Sequence, residues 1–318
     1  MKLSLVIPFY NAENFIVECL LSITRQVEPL CEIVLVDDGS TDNSSYLIEN
    51  EFLHELESGL FVLVRINNSG PGEARNVGVK ASRGDYVGFL DSDDLLLPGY
   101  FMTVLSVIKN TAPQIIQFYC TRFVTGLLEK GEIIKIHRKP SGFYQMAEVR
   151  NDIFGVGKWF PCVRIFKRHL LVQNPFPPEK VFYEDLITLP FIFFQDIPIV
   201  LINQPLVAYR DNAIGTTRNH HPEHLETLKK YFKKIAEMPR IIALDALILN
   251  VSRTIIYFSV EFNKPKSEII EYIKVVKKIV KKRDLLIILS MPEIVLLYCP
   301  SFYFCFEKTR RFFKNCCG

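Results

Sequence analysis

The sequence predicts an α/β fold, a mainly parallel central sheet flanked by helices, with a helical region at its C-terminal end. Three observations predict it. From residue 3 to residue 94, short apolar runs of strand length alternate with stretches of helical periodicity, the pattern of βαβ units. Three of those runs end in polar clusters, residues 8–11, 37–42 and 91–94, at the edge where a parallel sheet opens its ligand crevice. Charge is also divided: residues 226–318 hold 18 Lys+Arg against 9 Asp+Glu, whereas residues 1–225 hold 20 against 26.

Taken in order, residues 3–7 read as a short strand that Pro8 ends. Phe15, Ile16, Cys19, Leu20 and Ile23 then have the spacing of a helix over residues 12–26. Residues 32–36 read as a second strand, after which Thr41 or Asp42 caps a helix carrying Leu47, Ile48 and Phe52. Residues 60–64 read as a third strand, residues 67–72 (NNSGPG) as a turn and residues 73–81 as a helix. The fourth strand lies within residues 84–94, GDYVGFLDSDD, and delivers Asp91, Asp93 and Asp94 to its C-terminal end. After Pro98 comes a helix with Phe101, Val104, Leu105 and Ile108, then a strand over residues 114–123. Residues 125–150 read as irregular and charged, with Lys130 and Gly131 at a hairpin tip. Asp185 heads an apolar helix over residues 186–194, interrupted by Pro190. In the tail, residues 222–262 and 265–283 read as helices with lysine pairs on their polar sides.

The 318 residues are 49% hydrophobic and 23% charged, enough to bury a large core and unlike a disordered chain. A net charge of +3 is too small to point to nucleic acid, and no nucleic-acid partner is expected. None of the eight cysteines forms a CxxC pair and no signal peptide is read before the first strand, so they are expected to be reduced thiols of a cytoplasmic protein.

Several unpaired carboxylates at one strand end cost on the order of several kcal/mol each unless a cation compensates them. A hard divalent cation with oxygen ligands, Mg²⁺ or Mn²⁺, fits that need and leaves coordination positions for substrate phosphates. The sequence has neither GxGxxG after its first strand nor GxxxxGK[ST], so no glycine-rich phosphate cradle is present. Arg75, just inside the helix after the Gly70-Pro71-Gly72 turn, offers a planar fork suited to phosphate oxygens.

The stretches VIPFYNAENFI, EIVLVDDGSTDNS, NSGPGEARNVGVKASRGDYVGFLDSDD and FYEDL, in this order and spacing, resemble the family 2 glycosyltransferases of GT-A fold, including those that build bacterial capsule, exopolysaccharide or O-antigen. The resemblance covers about residues 1–215. It implies a nucleotide-sugar half over residues 1–110, an acceptor half over residues 111–220 and a separate helical region over residues 221–318. By the same resemblance Pro8 and Tyr10 hold the nucleotide base, with Tyr10 stacked on it, and Asp38 hydrogen-bonds that base, uracil in most such enzymes. Arg75 lies by the diphosphate, Asp91 near the ribose and metal, and Asp93 is the metal ligand of the DxD motif. Asp94 supports the turn into the next helix. Asp185 is the general base with Glu184 as its helper. Trp159, the single tryptophan, is either an acceptor-side stacking residue or a core aromatic. Tyr209-Arg210 and residues 215–218 resemble a segment that closes over the diphosphate. One of His220, His221 and His224 could complete a metal shell, but three close histidines on a polar stretch read as solvated and are left out of the metal site.

The expected activity is inverting transfer of a sugar from a nucleoside-diphosphate sugar, a UDP-sugar foremost, to a glycan or polyprenyl-linked glycan acceptor, with Mn²⁺ or Mg²⁺. A sugar nucleotidyltransferase would carry an early glycine-rich basic loop, which residues 8–14 lack; a non-catalytic scaffold would have no need of Asp38, Asp93 and Asp185 together. The apolar segment 285–306 is interrupted by Pro292, Glu293 and Pro300 and bordered by Lys281, Lys282, Arg283, Lys308 and Arg310. It suggests a protein docked peripherally on the cytoplasmic face of the plasma membrane rather than spanning it.

Overall fold

The computed structural model describes residues 2–212 and 221–283. The chain divides into two compact units, Met1–His220 and His221–Gly318.

In the first unit, β1 (Leu3–Phe9), β2 (Cys31–Asp37), β3 (Phe61–Arg65) and β4 (Tyr86–Phe89) form a parallel block ordered β3-β2-β1-β4. Helices α1 (Ile16–Thr24), α2 (Ser44–Glu51), α3 (Leu53–Glu57) and α4 (Pro71–Ala81) connect these strands. Successive side chains of β1 point to opposite faces, and both faces are covered. Leu3, Leu5, Ile7 and Phe9 join a buried cluster with Ile16, Leu20 and Ile23 of α1. Val6 faces the other way, against Gly78 of α4, where a Cβ would collide with the valine methyls.

Pro8 does not end β1; it pairs with Val36 in register. Val6 accepts the Leu90 amide on the β4 side of β1, so Pro8, two residues on, faces that side as well. The ladder with β4 stops at the Val6–Phe89 pair, so the amide that proline lacks has no partner to lose.

A two-residue strand, β5 (Leu95–Leu96), and α5 (Tyr100–Thr111) lead to β6 (Ile115–Phe123). The stretch expected to be irregular instead holds β7 (Glu132–Ile134), antiparallel to β6, then β8 (Gly142–Gln145) and α6 (Met146–Val156). Its charged residues alternate with Ile134, Ile136, Val149 and Ile153, which turn inward and hide the pattern from a reading by polarity. Next come β9 (Arg164–Lys167), α7 (Arg168–Gln173), α8 (Glu184–Phe193) and β10 (Pro198–Arg210), the last parallel to β6 with irregular register around Pro205. Strand β9 runs antiparallel to both β4 and β6 and so joins the parallel block to the second half of the sheet.

The second unit contains α9 (Pro222–Ala236), α10 (Ile242–Glu261) and α11 (Lys266–Arg283). One helix was expected over residues 222–262; Pro239 cannot continue a helix, and the chain breaks there. By length and composition α10 could cross a membrane, yet 67% of its apolar window is buried within the structure, and Asp245 in its first turn is ion-paired with Arg240 at 2.6 Å. His224 is buried and its ring accepts the His221 amide at 3.3 Å, so it is not a solvated histidine. His220 and the segments 215–218 and 285–306 lie outside the described residues.

Candidate active site

The polar ends of β1, β2 and β4 converge because the three strands are parallel neighbours. The loops after β1 and β2 are laced together by side chains. Asn11, at φ +50°, accepts the Thr41 amide at 2.8 Å, while its own amide donates to Ser40 Oγ at 3.1 Å. Glu13 accepts the Asn43 amide at 3.0 Å, and Asp42 accepts the Glu13 amide at the same distance. Asp42 also accepts the Ser44 amide and hydroxyl at the head of α2, but the cap position itself is Asn43, which makes no side-chain cap hydrogen bond, so neither Thr41 nor Asp42 is the cap that was expected. Tyr10 projects from this platform with 49% of its surface exposed, free to present a ring face.

Asp38 is buried and accepts the amides of Ser69 at 2.6 Å and Gly70 at 2.9 Å. Its carboxylate thereby fixes the loop that enters α4. Asp37 plays a similar part within its own loop, accepting the Ser40 amide at 2.7 Å and the Ser45 hydroxyl.

Arg75, expected close to the diphosphate, is buried and ion-paired with two acids. Its guanidinium binds Asp91 at 2.9 Å and Glu184 at 2.5 Å and lies over the Phe176 ring. The sequence had placed Arg75 and Glu184 in separate motifs; the structure joins them through one fork. Helix α4 supplies this geometry. Gly72 lets the carbonyl of Pro177 come close, and Asn76 exchanges two hydrogen bonds of 2.9 Å with the backbone of Phe176.

Asp91, Asp93 and Asp94 lie beyond β4. Asp94 is fully buried, and one of its oxygens accepts the Arg210 amide at 2.9 Å, while Oδ2 has no hydrogen-bond partner. Burial pushes the Asp94 carboxyl well up, with the charges of Asp91 and Asp93 adding to it. Asp93 is shifted the same way by burial and by Asp91, and bonds the Asn212 side chain. Arg210 was read as part of a closing segment. It is instead a buried cation, donating to the Asp93 carbonyl at 2.6 Å and Glu18 at 2.6 Å, between the rings of Phe15 and Phe123. Only its spacing from the acids in the fold reveals this role, because 116 residues separate it from Asp94.

These residues fit a hard divalent cation. They are crowded carboxylates with one orphaned buried oxygen and two arginines that are already committed. Donor atoms of Asp91, Asp94 and Cys162 all lie within 4.8 Å of one another. A sulfur donor suits soft metals and not Mg²⁺ or Mn²⁺, which leaves the carboxylates as the donors.

Glu184 and Asp185 open α8. Tyr183 precedes them at φ +66°, an uncommon conformation for a bulky residue, and so sets the direction in which the helix starts. Asp185 accepts the amide of Leu186 at 2.6 Å. Burial pushes its carboxyl up to about 7, the Glu184 charge adds to this, and Arg75 and Arg164 pull the other way. Arg164 is a residue that sequence reasoning missed. It is fully buried on β9, lies over the rings of Trp159 and Phe193, and donates to the carbonyls of Lys158 and Phe160 and to Gln117. Burial lowers its guanidinium to about 9. Trp159 is thereby a core aromatic, 3% exposed against Phe154 and Phe193, and not a stacking platform.

A family model described as Glycosyl transferase family 2 matches residues 4–170. The match spans the three strand ends and stops before the acid pair of α8. Glycosyltransferase GlyG of Streptococcus pneumoniae serotype 4 is 26% identical over 266 residues, 78% of this chain and 84% of its own. Uncharacterized glycosyltransferase EpsJ of Bacillus subtilis is 28% identical over 246 residues, 73% of this chain and 68% of its own. Among solved structures, S. aureus TarS 1-349 in complex with UDP-GlcNAc superposes with a TM-score of 0.65 at 20% identity, covering 88% of this chain and 81% of that one. GalNAc-T7 with UDP, GalNAc and Mn²⁺ superposes with a TM-score of 0.54 at 14% identity, covering 75% and 52%. These two likenesses speak to the fold, a GT-A arrangement.

Proposed function

The chain belongs to glycosyl transferase family 2 and is a glycosyltransferase, and from that premise we propose that it moves a sugar from a UDP-sugar, with inversion, to a hydroxyl of a glycan or lipid-linked glycan in surface polysaccharide synthesis. The observation that carries the proposal is Asp185, a carboxyl raised to about 7 beside Glu184 and linked through it and Arg75 to Asp91. A carboxylate with that value is matched to taking a proton from a sugar hydroxyl near neutral pH. The hydroxyl attacks the anomeric carbon from the face opposite the departing nucleotide, so the configuration inverts. Tyr10 offers an exposed ring to the base, Pro8 is buried at the end of the strand that carries it, and Asp38 shapes the neighbouring loop. Asp91 and Asp94, whose carboxylate oxygens lie within 4.8 Å of each other, and Asp93 of the DxD motif would hold Mn²⁺ or Mg²⁺, which when bound neutralises the charge developing on the diphosphate. The UDP-GlcNAc complex of TarS supports a UDP-sugar donor.

The same reading puts the protein at the cytoplasmic face of the plasma membrane. Lys230, Lys233 and Lys234 share one exposed face of α9, and Lys274, Lys277 and Lys278 share one of α11. Such faces suit an anionic leaflet. Cosedimentation with phosphatidylglycerol vesicles should fall when these lysines are replaced by glutamine; unchanged binding would remove the membrane assignment.

The activity is tested by screening nucleotide sugars for hydrolysis and thermal stabilisation with Mn²⁺ and with EDTA. A UDP-sugar should be selected only with the metal. Binding of UDP that ignores both EDTA and Asp93→Ala would overturn the metal site, and full transfer by Asp185→Asn would overturn the base.

A further inference from the structure

A cavity of about 310 Å³ opens where β6 ends and the chain doubles back into β7. No motif in the sequence pointed to it. Its wall includes Asp211, which accepts Arg122 Nη2 at 2.6 Å and donates its amide to the Phe123 carbonyl at 2.7 Å. The residues on either side of Asp211 serve the acid cluster: Arg210 donates to Asp93 and Asp94, and Asn212 bonds the Asp93 side chain. Asp211 of the cavity wall is thus joined along the backbone to the two residues that support the carboxylates.

The lining states what that group is. Arg122 and Lys130 are offset by Asp211 and Glu132, so the cavity is formally neutral. An anion would meet two carboxylates there, and a cation two bases. Val124 and Leu127 add apolar surface, 53% and 48% exposed. Paired donors and acceptors around an apolar strip match a ligand with many hydroxyls and a C–H face. The volume is at the lower end of the range for ligand pockets, about 300–1,000 Å³, and suits a single ring.

We propose that this cavity is a subsite for an uncharged sugar ring of the acceptor, a ring other than the one whose hydroxyl reacts. The proposal rests on the glycosyltransferase reading. It assigns to the β6–β7 hairpin the grip on the acceptor chain.

The test is saturation-transfer NMR on the full chain, with methyl β-glycosides of glucose, galactose and N-acetylglucosamine as probes and glycerol 3-phosphate as the anionic comparison. Lys130 and Glu132 are both exposed, so the double variant Lys130→Ala, Glu132→Ala leaves the core untouched. At least one glycoside should show transfer that drops about fivefold or more in the double variant, with UDP affinity in Mn²⁺ unchanged. Transfer to no glycoside, transfer equal in both proteins, or a stronger variant-sensitive signal from glycerol 3-phosphate would each overturn the subsite. Absence of UDP binding in the unaltered protein is a separate result, and it would count against the donor site instead.

Discussion

The loops at the ends of β1 and β2 and the acid pair at the head of α8 are two parts of one site, yet they are held in different ways. The loops are tied by contacts about thirty residues apart in sequence, most of them single hydrogen bonds between a short polar side chain and a backbone amide. Glu184 is held by Arg75, 109 residues earlier, and Asp185 sits in the field of Arg164 on another strand. The first arrangement spreads its support over many weak links. The second concentrates it in buried charges, where each partner matters because an unpaired buried charge is costly. Single substitutions should therefore act mildly on the loops and severely on the acid pair.

The largest effect is expected at Asp185. Asp185→Asn should lower transfer by on the order of 10²–10⁴-fold, the usual contribution of a general base. Nucleotide binding, followed by calorimetry, should persist, because the asparagine keeps the shape of the helix start. Next comes Arg75→Ala, which leaves Glu184 and Asp91 facing each other without a cation. It should destabilise the fold by about 3 kcal/mol, the lower end for a broken buried pair, since the Asp91 side chain is 33% exposed. Urea denaturation would measure this, and a loss as small as that of a surface arginine would erase the contrast drawn above.

A smaller effect follows from pH. With the Asp185 carboxyl at about 7, transfer should rise about tenfold between pH 6 and pH 8. Its effect on stability has the opposite sign. The folded-state value lies above the ordinary carboxylate value of about 4, so the fold holds this proton more tightly than the unfolded chain. The stability linked to it is present below about pH 4 and is lost as pH rises to about 7. Melting temperatures of Asp185→Asn and the parent protein, compared from pH 5 to pH 8, should show the variant gaining on the parent as pH rises. The smallest effect belongs to the loops: Asn11→Ala removes the oxygen that accepts the Thr41 amide at 2.8 Å and its hydroxyl at 3.4 Å, and should cost about 1 kcal/mol. A loss as large as that of Arg75→Ala would show that the loops fold as one brittle unit.

What could be read from the sequence follows the same division. The first four strands, their helices and the acids at their ends were legible because each sits within a short stretch whose periodicity and turn residues agree. The polar pairs that lace the loops lie inside those same stretches. Arg75 was found, but nothing local says that its fork closes on Glu184. Arg164 and Arg210 are buried through contacts far along the chain, Gln117 and Phe193 for the first and Glu18 and Asp93 for the second, and their short motifs look like ordinary strand ends. Trp159 could not be assigned from its neighbours in sequence because Phe193, which packs against it, comes from α8. Pro8 misled for a related reason: a proline ends a strand only where its amide would have been paired, and β4 stops before reaching it.

Helix α4 meets the rest of the protein at Gly72, Arg75, Asn76 and Gly78, against Pro177, the two acids, Phe176 and Val6 in turn. At about 100° per residue these four positions fall within an arc of about 160°, one half of the helix circumference. Inserting or deleting a single residue between Gly72 and Gly78 would rotate one end relative to the other by about 100°. The methyls of Val6 would meet a side chain, and the guanidinium would leave both acids in the same event. Length, more than composition, is the property of this helix that the site cannot spare, and changes in length across related chains should fall outside those seven residues.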